Sequence, residues 1–329
     1  MAVFTPVTVP EAQAFINAYD LGDVLSLKGV AEGVENSNFR LETTTGVYAL
    51  TLFEKRVDPD ALPFYLGMME HLAERGFPAP RPARNRAGEL VGVLNARAAA
   101  VVQWLPGAWL RAPEPVDLRA AGRGLAELHR AIRGFPMTRP NALGVAGWSE
   151  LIEVCRFRAK GADADMLAEL AAEYAVLESA WPRGLPTGNI HADYFPDNVL
   201  FSEGKISGVI DYYFACTDAF AYDLAIALNA WGFHPDGSPD ARALAEFLEG
   251  YEAVRPLSAE EAQALPILCR GSAVRFTLTR LNDLLFHDPS WLVTPKDPRP
   301  FFNRLAFHRT CGDADGYRGS RFGAVAGGC

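Results

Sequence analysis

The residues best suited to chemistry lie in one stretch, His191-Ala192-Asp193-Tyr194-Phe195-Pro196-Asp197-Asn198, which runs on through Val199-Leu200-Phe201 to Gly208-Val209-Ile210-Asp211. Asp193 and Asn198 stand five positions apart, and Asp211 follows Asn198 by thirteen. An H-x-D-x-x-x-x-N loop of this spacing suits phosphoryl transfer from a nucleotide. The Asp accepts the proton of the attacking hydroxyl, while the Asn and a second Asp hold Mg²⁺ against the phosphates. Val199–Phe201 and Ile206–Ile210 read as two short strands joined by the turn Ser202-Glu203-Gly204-Lys205. A hairpin returns its second strand to where the first began, so Asn198 and Asp211 are expected at one end of it. Amide and carboxylate oxygens are the hard donors that Mg²⁺ takes. Phosphoryl transfer asks the protein mainly for positioning and charge neutralisation. Asp193 is therefore the expected base, Asn198 and Asp211 the metal ligands, and His191 a residue that locks the loop. Asp and Asn are common in turns, and it is the joint pattern that carries the reading.

Elements that would position this loop can be read along the chain. Leu25–Ala31, Asn38–Thr43 and Val47–Phe53 are short β-branched or aromatic segments parted by glycine-bearing turns, which predicts an antiparallel meander. Pro59 to Arg75 reads as a helix with Leu62, Leu66, Met69 and Leu72 on one face, ended by Gly76 and Pro78. Val91–Leu94 and Ala98–Trp104 would close the sheet. Pro106 and Gly107 then punctuate the chain, which puts a boundary near residue 105. Beyond it, Leu118–Ile132, Leu151–Ala180, Asp223–Trp231, Ala241–Val254 and Pro266–Leu285 have helical spacing. The division is 1–105 for a β-rich nucleotide lobe, 106–311 for a helical lobe with the acceptor site, and 312–329 for a mobile glycine-rich tail. His129, between Leu125 and Ile132, reads as a core histidine.

The bulk properties restrict the partners. The chain has 329 residues with 31 Lys and Arg against 40 Asp and Glu, a net charge of −9. That balance argues against wrapping nucleic acid or an anionic membrane. The five cysteines are scattered and never form C-x-x-C, so neither a disulfide framework nor a zinc site is expected. The N-terminus has no basic start followed by an apolar run, and no stretch reaches the length of a membrane span. A cytoplasmic protein acting on a small molecule is the expectation; the oligomeric state is not readable. The turn Gly29–Asn38 could lay backbone N–H groups over phosphates, with Gly33, Asn36 and Ser37 as candidates, although it lacks G-K-[ST] and a full G-x-G-x-x-G.

The segments "GNIHADYFPDNVLF", "GVIDYYFACTDAFAYDLAIALNAW", "RFTLTRLNDLL" and "VTPKDPRPF", with "GVENSNFRLET" and "YALTLFEKR" upstream, resemble the phosphotransferases of aminoglycoside-kinase-like, protein-kinase-related fold. Within them the chain looks closest to the homoserine kinases of bacterial threonine biosynthesis. The resemblance implies an α+β, protein-kinase-like two-lobe fold, with a small antiparallel β-sheet lobe and a larger, mostly helical one. It implies ATP and Mg²⁺ as cofactors, Asp193 as base, Asn198 and Asp211 as metal ligands, and Gln103, Trp104 and Leu105 as the adenine contact. The acceptor would be homoserine, phosphorylated on its side-chain hydroxyl. A zwitterion calls for a cation and an anion, and Arg275, Arg280 and Asp218 are candidates, with Tyr212 lining the cleft. The pattern departs from the family at Thr51, where a phosphate-binding lysine usually stands; Lys28 or Lys55 could substitute, and Glu70 is the one candidate partner on the following helix. The alternatives are a kinase of choline or an aminoglycoside, or an inactive nucleotide-binding regulator.

Overall fold

The computed structural model describes residues 5–30, 36–54, 58–288 and 294–318. The described residues divide into two compact units: those up to 107 together with 207–213, and the remainder.

In the first unit, β1 (Val24–Gly29), β2 (Ser37–Thr43), β3 (Val47–Leu52), β4 (Gly92–Leu94) and β5 (Arg97–Gln103) form an antiparallel sheet in the order β1-β2-β3-β5-β4. The period-2 pattern of β2 puts Phe39 and Leu41 into the core with Leu50, Leu52 and Val101. That face is covered by α1 (Val9–Ile16), which the apolar periodicity had not marked. Its start is nonetheless written in the sequence. Thr8 and Glu11 form a capping box, with Pro10 in the first turn. A 3₁₀ turn, Pro59–Ala61, leads into α2 (Leu62–Glu74), which buries Leu62, Leu66, Met69 and Leu72.

The second unit is mostly helical: α3 (Pro115–Ala131), α4 (Val145–Arg156), α5 (Ala162–Ala180), α6 (Phe220–Trp231), α7 (Ala241–Glu252), α8 (Ala259–Leu285) and α9 (Arg299–His308). Short strands β6 (Thr187–Ile190) and β9 (Cys216–Ala219) pair antiparallel, and β7 (Val199–Ser202) pairs with β8 (Lys205–Val209), whose residues from 207 on are counted with the first unit. α3 and α7 meet backbone to backbone: a Cβ on Gly122 would lie 1.9 Å from the Phe247 carbonyl oxygen, and one on Gly250 2.0 Å from that of Arg119.

Three expectations need correction. The helix read from Pro266 begins at Ala259, capped by Ser258 and Glu261, and Pro266 lies within its buried face. α9 was missed because Pro298 and Pro300 in "DPRPFF" look like breakers; both sit at the helix start, where no partner for the amide is lost. The tail is not loose from Gly312. A 3₁₀ turn, Ala314–Tyr317, buries the Tyr317 ring completely, and its hydroxyl meets His308 Nδ1 at 3.0 Å. Cys155, Cys216 and Cys269 are buried free thiols, and burial pushes Cys216 up to about 12.

Candidate active site

The loop between β6 and β7 is held from beneath by one buried carboxylate. Asp223, in the first turn of α6, has no solvent exposure and accepts the backbone N–H of His191 and that of Ala192, each at 2.8 Å. His129 Nε2 meets the same carboxylate at 3.0 Å, and His129 Nδ1 lies 2.8 Å from the Tyr251 hydroxyl. Arg255 continues the chain, donating to the Tyr251 hydroxyl at 3.1 Å and to Glu261 at 2.7 Å. These partners make His129 a neutral donor to Asp223: burial drives its pKa down more than the carboxylate raises it. Burial alone would push Asp223 up, but the hydrogen bonds from His129 and the loop hold it below the usual range.

Asp223 is the functional residue that sequence reasoning passed over. It was read only as the first residue of the helical segment Asp223–Trp231. A charged residue inside an otherwise apolar helix, Phe220–Trp231, is the signal that could have found it. The clamp also explains the loop backbone. Ala192 has φ 60°, the left-handed region, which a non-glycine residue keeps only when its surroundings hold it there.

On this platform, Asp193 is half-buried, and its Oδ2 accepts from Asn198 Nδ2 at 3.0 Å. The same nitrogen donates to the Asp193 carbonyl at 2.9 Å. Asn198 thus fixes the Asp193 rotamer and keeps its own Oδ1 as the oxygen a cation would meet. His191 is fully buried, and its Nδ1 accepts the Asp193 N–H at 3.2 Å. Trp231 Nε1 donates to the Tyr194 carbonyl at 2.9 Å, tying the loop to α6 again.

The remaining candidates are placed as follows. Asp211 is exposed, two residues beyond β8, with φ 65°. Tyr212 is fully buried. Asp218, on β9, accepts from Asn141 Nδ2 and from the Ala219 N–H, both at 2.7 Å. Arg275 is 2% exposed on α8, its guanidinium 4.7 Å from the Phe276 ring and 5.8 Å from that of Phe214, with no acceptor for Nε or Nη1. Burial takes Arg275 out of reach of any surface ion pair. Arg280 donates to the Asp297 carbonyl at 3.2 Å and has Asp193 and Asp197 among its charged neighbours.

In the first unit, Gln103 ends β5, Trp104 follows with 38% exposure, and Leu105 is half-buried. Gly33 and Lys55 lie outside the described residues. Asn36 and Ser37 are buried and spend their side chains inside the unit: Asn36 accepts from the Glu54 N–H at 3.3 Å, and Ser37 donates to the Glu54 carboxylate at 2.8 Å. Lys28 is exposed on β1.

Thr51 occupies the third-strand position and donates to Asn38 Oδ1 at 2.8 Å. Glu70 does not reach it; Arg84 takes both Glu70 oxygens, at 2.8 and 2.5 Å. An aromatic bridge stands where a lysine–glutamate pair was looked for. The Tyr213 ring packs at 5.3 Å on Phe53 and 5.8 Å on Tyr65 of α2. Burial, then the Asp211 charge, raises the Tyr213 phenol.

A clamped Asp–Asn loop followed by a short hairpin and an exposed Asp defines a phosphotransferase of protein-kinase-like α+β fold. The chain belongs to the phosphotransferase enzyme family, which its residues 26–257 match. A homoserine kinase of Methylobacterium radiotolerans is 54% identical over 317 residues, covering 96% of this chain and 99% of that protein. A homoserine kinase of Rhizobium meliloti is 52% identical over 309 residues, covering 94% and 95%. Among solved structures, an amicoumacin kinase in complex with AMP-PNP and Ca²⁺ aligns with a TM-score of 0.69 over 91% of each chain at 14% identity, a likeness of fold.

Proposed function

We propose that this chain transfers the γ-phosphoryl group of Mg·ATP to the side-chain hydroxyl of L-homoserine, giving O-phospho-L-homoserine and ADP for threonine biosynthesis in the cytoplasm. The observation that carries the reading is its identity of about half, over nearly the whole length, to homoserine kinases. Among the described residues no helix is long and apolar enough to cross a membrane.

The donor types assigned to the cofactor suit its chemistry. Mg²⁺ takes one or two protein oxygens and completes its shell with phosphates and water, not an all-protein cage. Among the described residues no three His, Cys, Asp or Glu side chains cluster as a metal site; Asn198 and Asp211 are assigned to the cation by their places in the motif. When bound, Mg·ATP supplies the transferable phosphoryl group and neutralises its charge. Asp193 orients the acceptor hydroxyl and takes its proton as the new P–O bond forms. Asn198 holds the Asp193 carboxylate in that pose, and Asp223 holds the loop. Asp218 is assigned to the acceptor ammonium and an arginine of α8 to its carboxylate. The Gln103–Leu105 segment is assigned to adenine. The Gly33–Ser37 turn would serve phosphates through its backbone, since the Asn36 and Ser37 side chains are engaged elsewhere.

Asp193→Asn is the test. Homoserine-dependent ADP release should fall by roughly 10²- to 10⁴-fold, with nucleotide affinity nearly unchanged because the base acts mainly in the transition state. Turnover like that of the unmodified enzyme would remove Asp193 from its role. ADP release with choline and none with homoserine would move the acceptor to another amino alcohol.

A further inference from the structure

The second unit holds a cation that nothing above uses. Arg304, on α9, is 7% exposed. Its guanidinium lies 3.7 Å from the centroid of the Phe301 ring and 5.1 Å from that of Phe233. Nη1 donates to the Asn229 carbonyl; among the described residues Nε has no acceptor and the charged neighbour is another cation, Arg280. Burying a guanidinium without a counter-ion is costly, and a fold that keeps one has a use for the charge.

Arg280 stacks on the same Phe301 ring, at 4.3 Å. It is half-buried, and its acidic neighbours are Asp193, Asp197 and Asp297. Phe276 and Phe195 lie 5.1 and 6.1 Å from Phe301, so the ring is fixed from its other sides. Two guanidinium groups thus share one aromatic ring, one of them half-buried with Asp193 among its charged neighbours and the other buried. A planar cation on an aromatic platform, short of acceptors, is suited to a carboxylate. In extended homoserine the hydroxyl oxygen and the carboxylate carbon are about 5 Å apart. That is the span over which such an acceptor would join Asp193 to Arg280, which has Asp193 among its charged neighbours.

We infer that Arg280 binds the α-carboxylate of the acceptor and that Arg304, through Phe301, is a positioning residue that sets the ring and the positive field behind it, so that the pair selects amino acids over amino alcohols. The inference rests on homoserine as acceptor. A cationic acceptor such as an amino alcohol gains nothing from this pair and is repelled by it.

Decarboxylated homoserine, 3-aminopropan-1-ol, is the probe. Steady-state kinetics with both acceptors are measured for the unmodified enzyme and for Arg280→Met, Arg280→Lys, Arg304→Met and Arg304→Lys, with thermal melting as the folding control. Where the amino alcohol is not turned over, its inhibition constant against homoserine replaces KM. Arg280→Met should raise KM for homoserine roughly 10- to 100-fold and leave the amino alcohol unchanged or improved. Arg304→Met should move the same preference in the same direction by a smaller factor, and each lysine variant should restore part of it. Equal losses of kcat on both acceptors in Arg280→Met would assign Arg280 to the phosphoryl group and overturn the inference. Equal losses on both acceptors in Arg304→Met would leave Arg304 a packing role only. Absence of homoserine turnover in the unmodified enzyme would instead sink the acceptor assignment itself.

Discussion

Asp223 and Arg304 are both buried charges on helices of the same unit, and they are treated in opposite ways. Around Asp223 the protein has assembled two backbone N–H groups and an imidazole N–H, so the carboxylate is satisfied without help. Around Arg304 it has placed one carbonyl and two aromatic faces and no carboxylate among the described residues, which leaves the guanidinium depressed to about 9 by burial and then by Arg280. A charge whose partners are internal organises the fold. A charge left short of partners bears a cost that only a ligand or its field can offset. The catalytic loop belongs to the first kind and the acceptor-selecting stack to the second.

The largest effect should come from removing the satisfied charge. Asp223→Ala strands the His191 and Ala192 amides and the His129 donor at once, which should cost about 3–5 kcal/mol of stability. Urea denaturation gives the number, and turnover should fall with it because Ala192 loses the contact that holds its φ at 60°. A variant within about 1 kcal/mol of the unmodified protein would show that the clamp is not what organises the loop.

Next in size is a pH effect where the two regions join. Asn229 ties α6 to both sides: its carbonyl accepts from Arg304, and its Oδ1 meets His308 Nε2 at 3.1 Å. His308 is fully buried, and burial, then the charges of Arg304 and Arg270, lowers its pKa to about 3. The folded state therefore prefers the neutral ring. Its contribution is complete above the unfolded value of about 6.5 and is lost as pH falls toward 3, because in that window the unfolded chain binds the extra proton. The slope should approach 1.4 kcal/mol per pH unit at most. Urea midpoints between pH 7 and 4 measure it, and His308→Gln should flatten that part of the curve. An unchanged slope in the variant would place the acid sensitivity elsewhere.

The geometry of the loop was legible because it depends on local spacing: Asp193 and Asn198 five apart need only one turn to meet, and they do. The strands were legible because β2 alternates strictly and β3 is a short, almost wholly apolar run. Contacts fixed by tertiary packing were not. Asp223 lies 31 and 32 positions from the amides that it binds, and nothing in "YDLA" says which backbone it faces. Arg304 was hidden twice over: its helix begins with prolines, and its meaning appears only when Phe301 is seen between it and Arg280. Thr51 looked like a missing lysine, and the aromatic bridge through Tyr213 to Tyr65 could be read only from the folded unit.

The smallest stability change is expected for Arg304→Met, and it is the one that separates the two kinds of buried charge most clearly. Deleting the guanidinium removes the hydrogen bond to Asn229 and leaves that carbonyl unsatisfied, a loss on the order of 1 kcal/mol. It also removes the burial of an unpaired cation beside Arg280, a gain of comparable size, since apolar groups often replace buried charges at no cost. The thioether fills much of the space on Phe301 and Phe233. Net stability in urea should therefore stay within about 1 kcal/mol of the unmodified protein, whereas Asp223→Ala falls well below it. A loss as large as that of Asp223→Ala would mean that Arg304 is as fully satisfied as the carboxylate, and the contrast between the two sites would vanish.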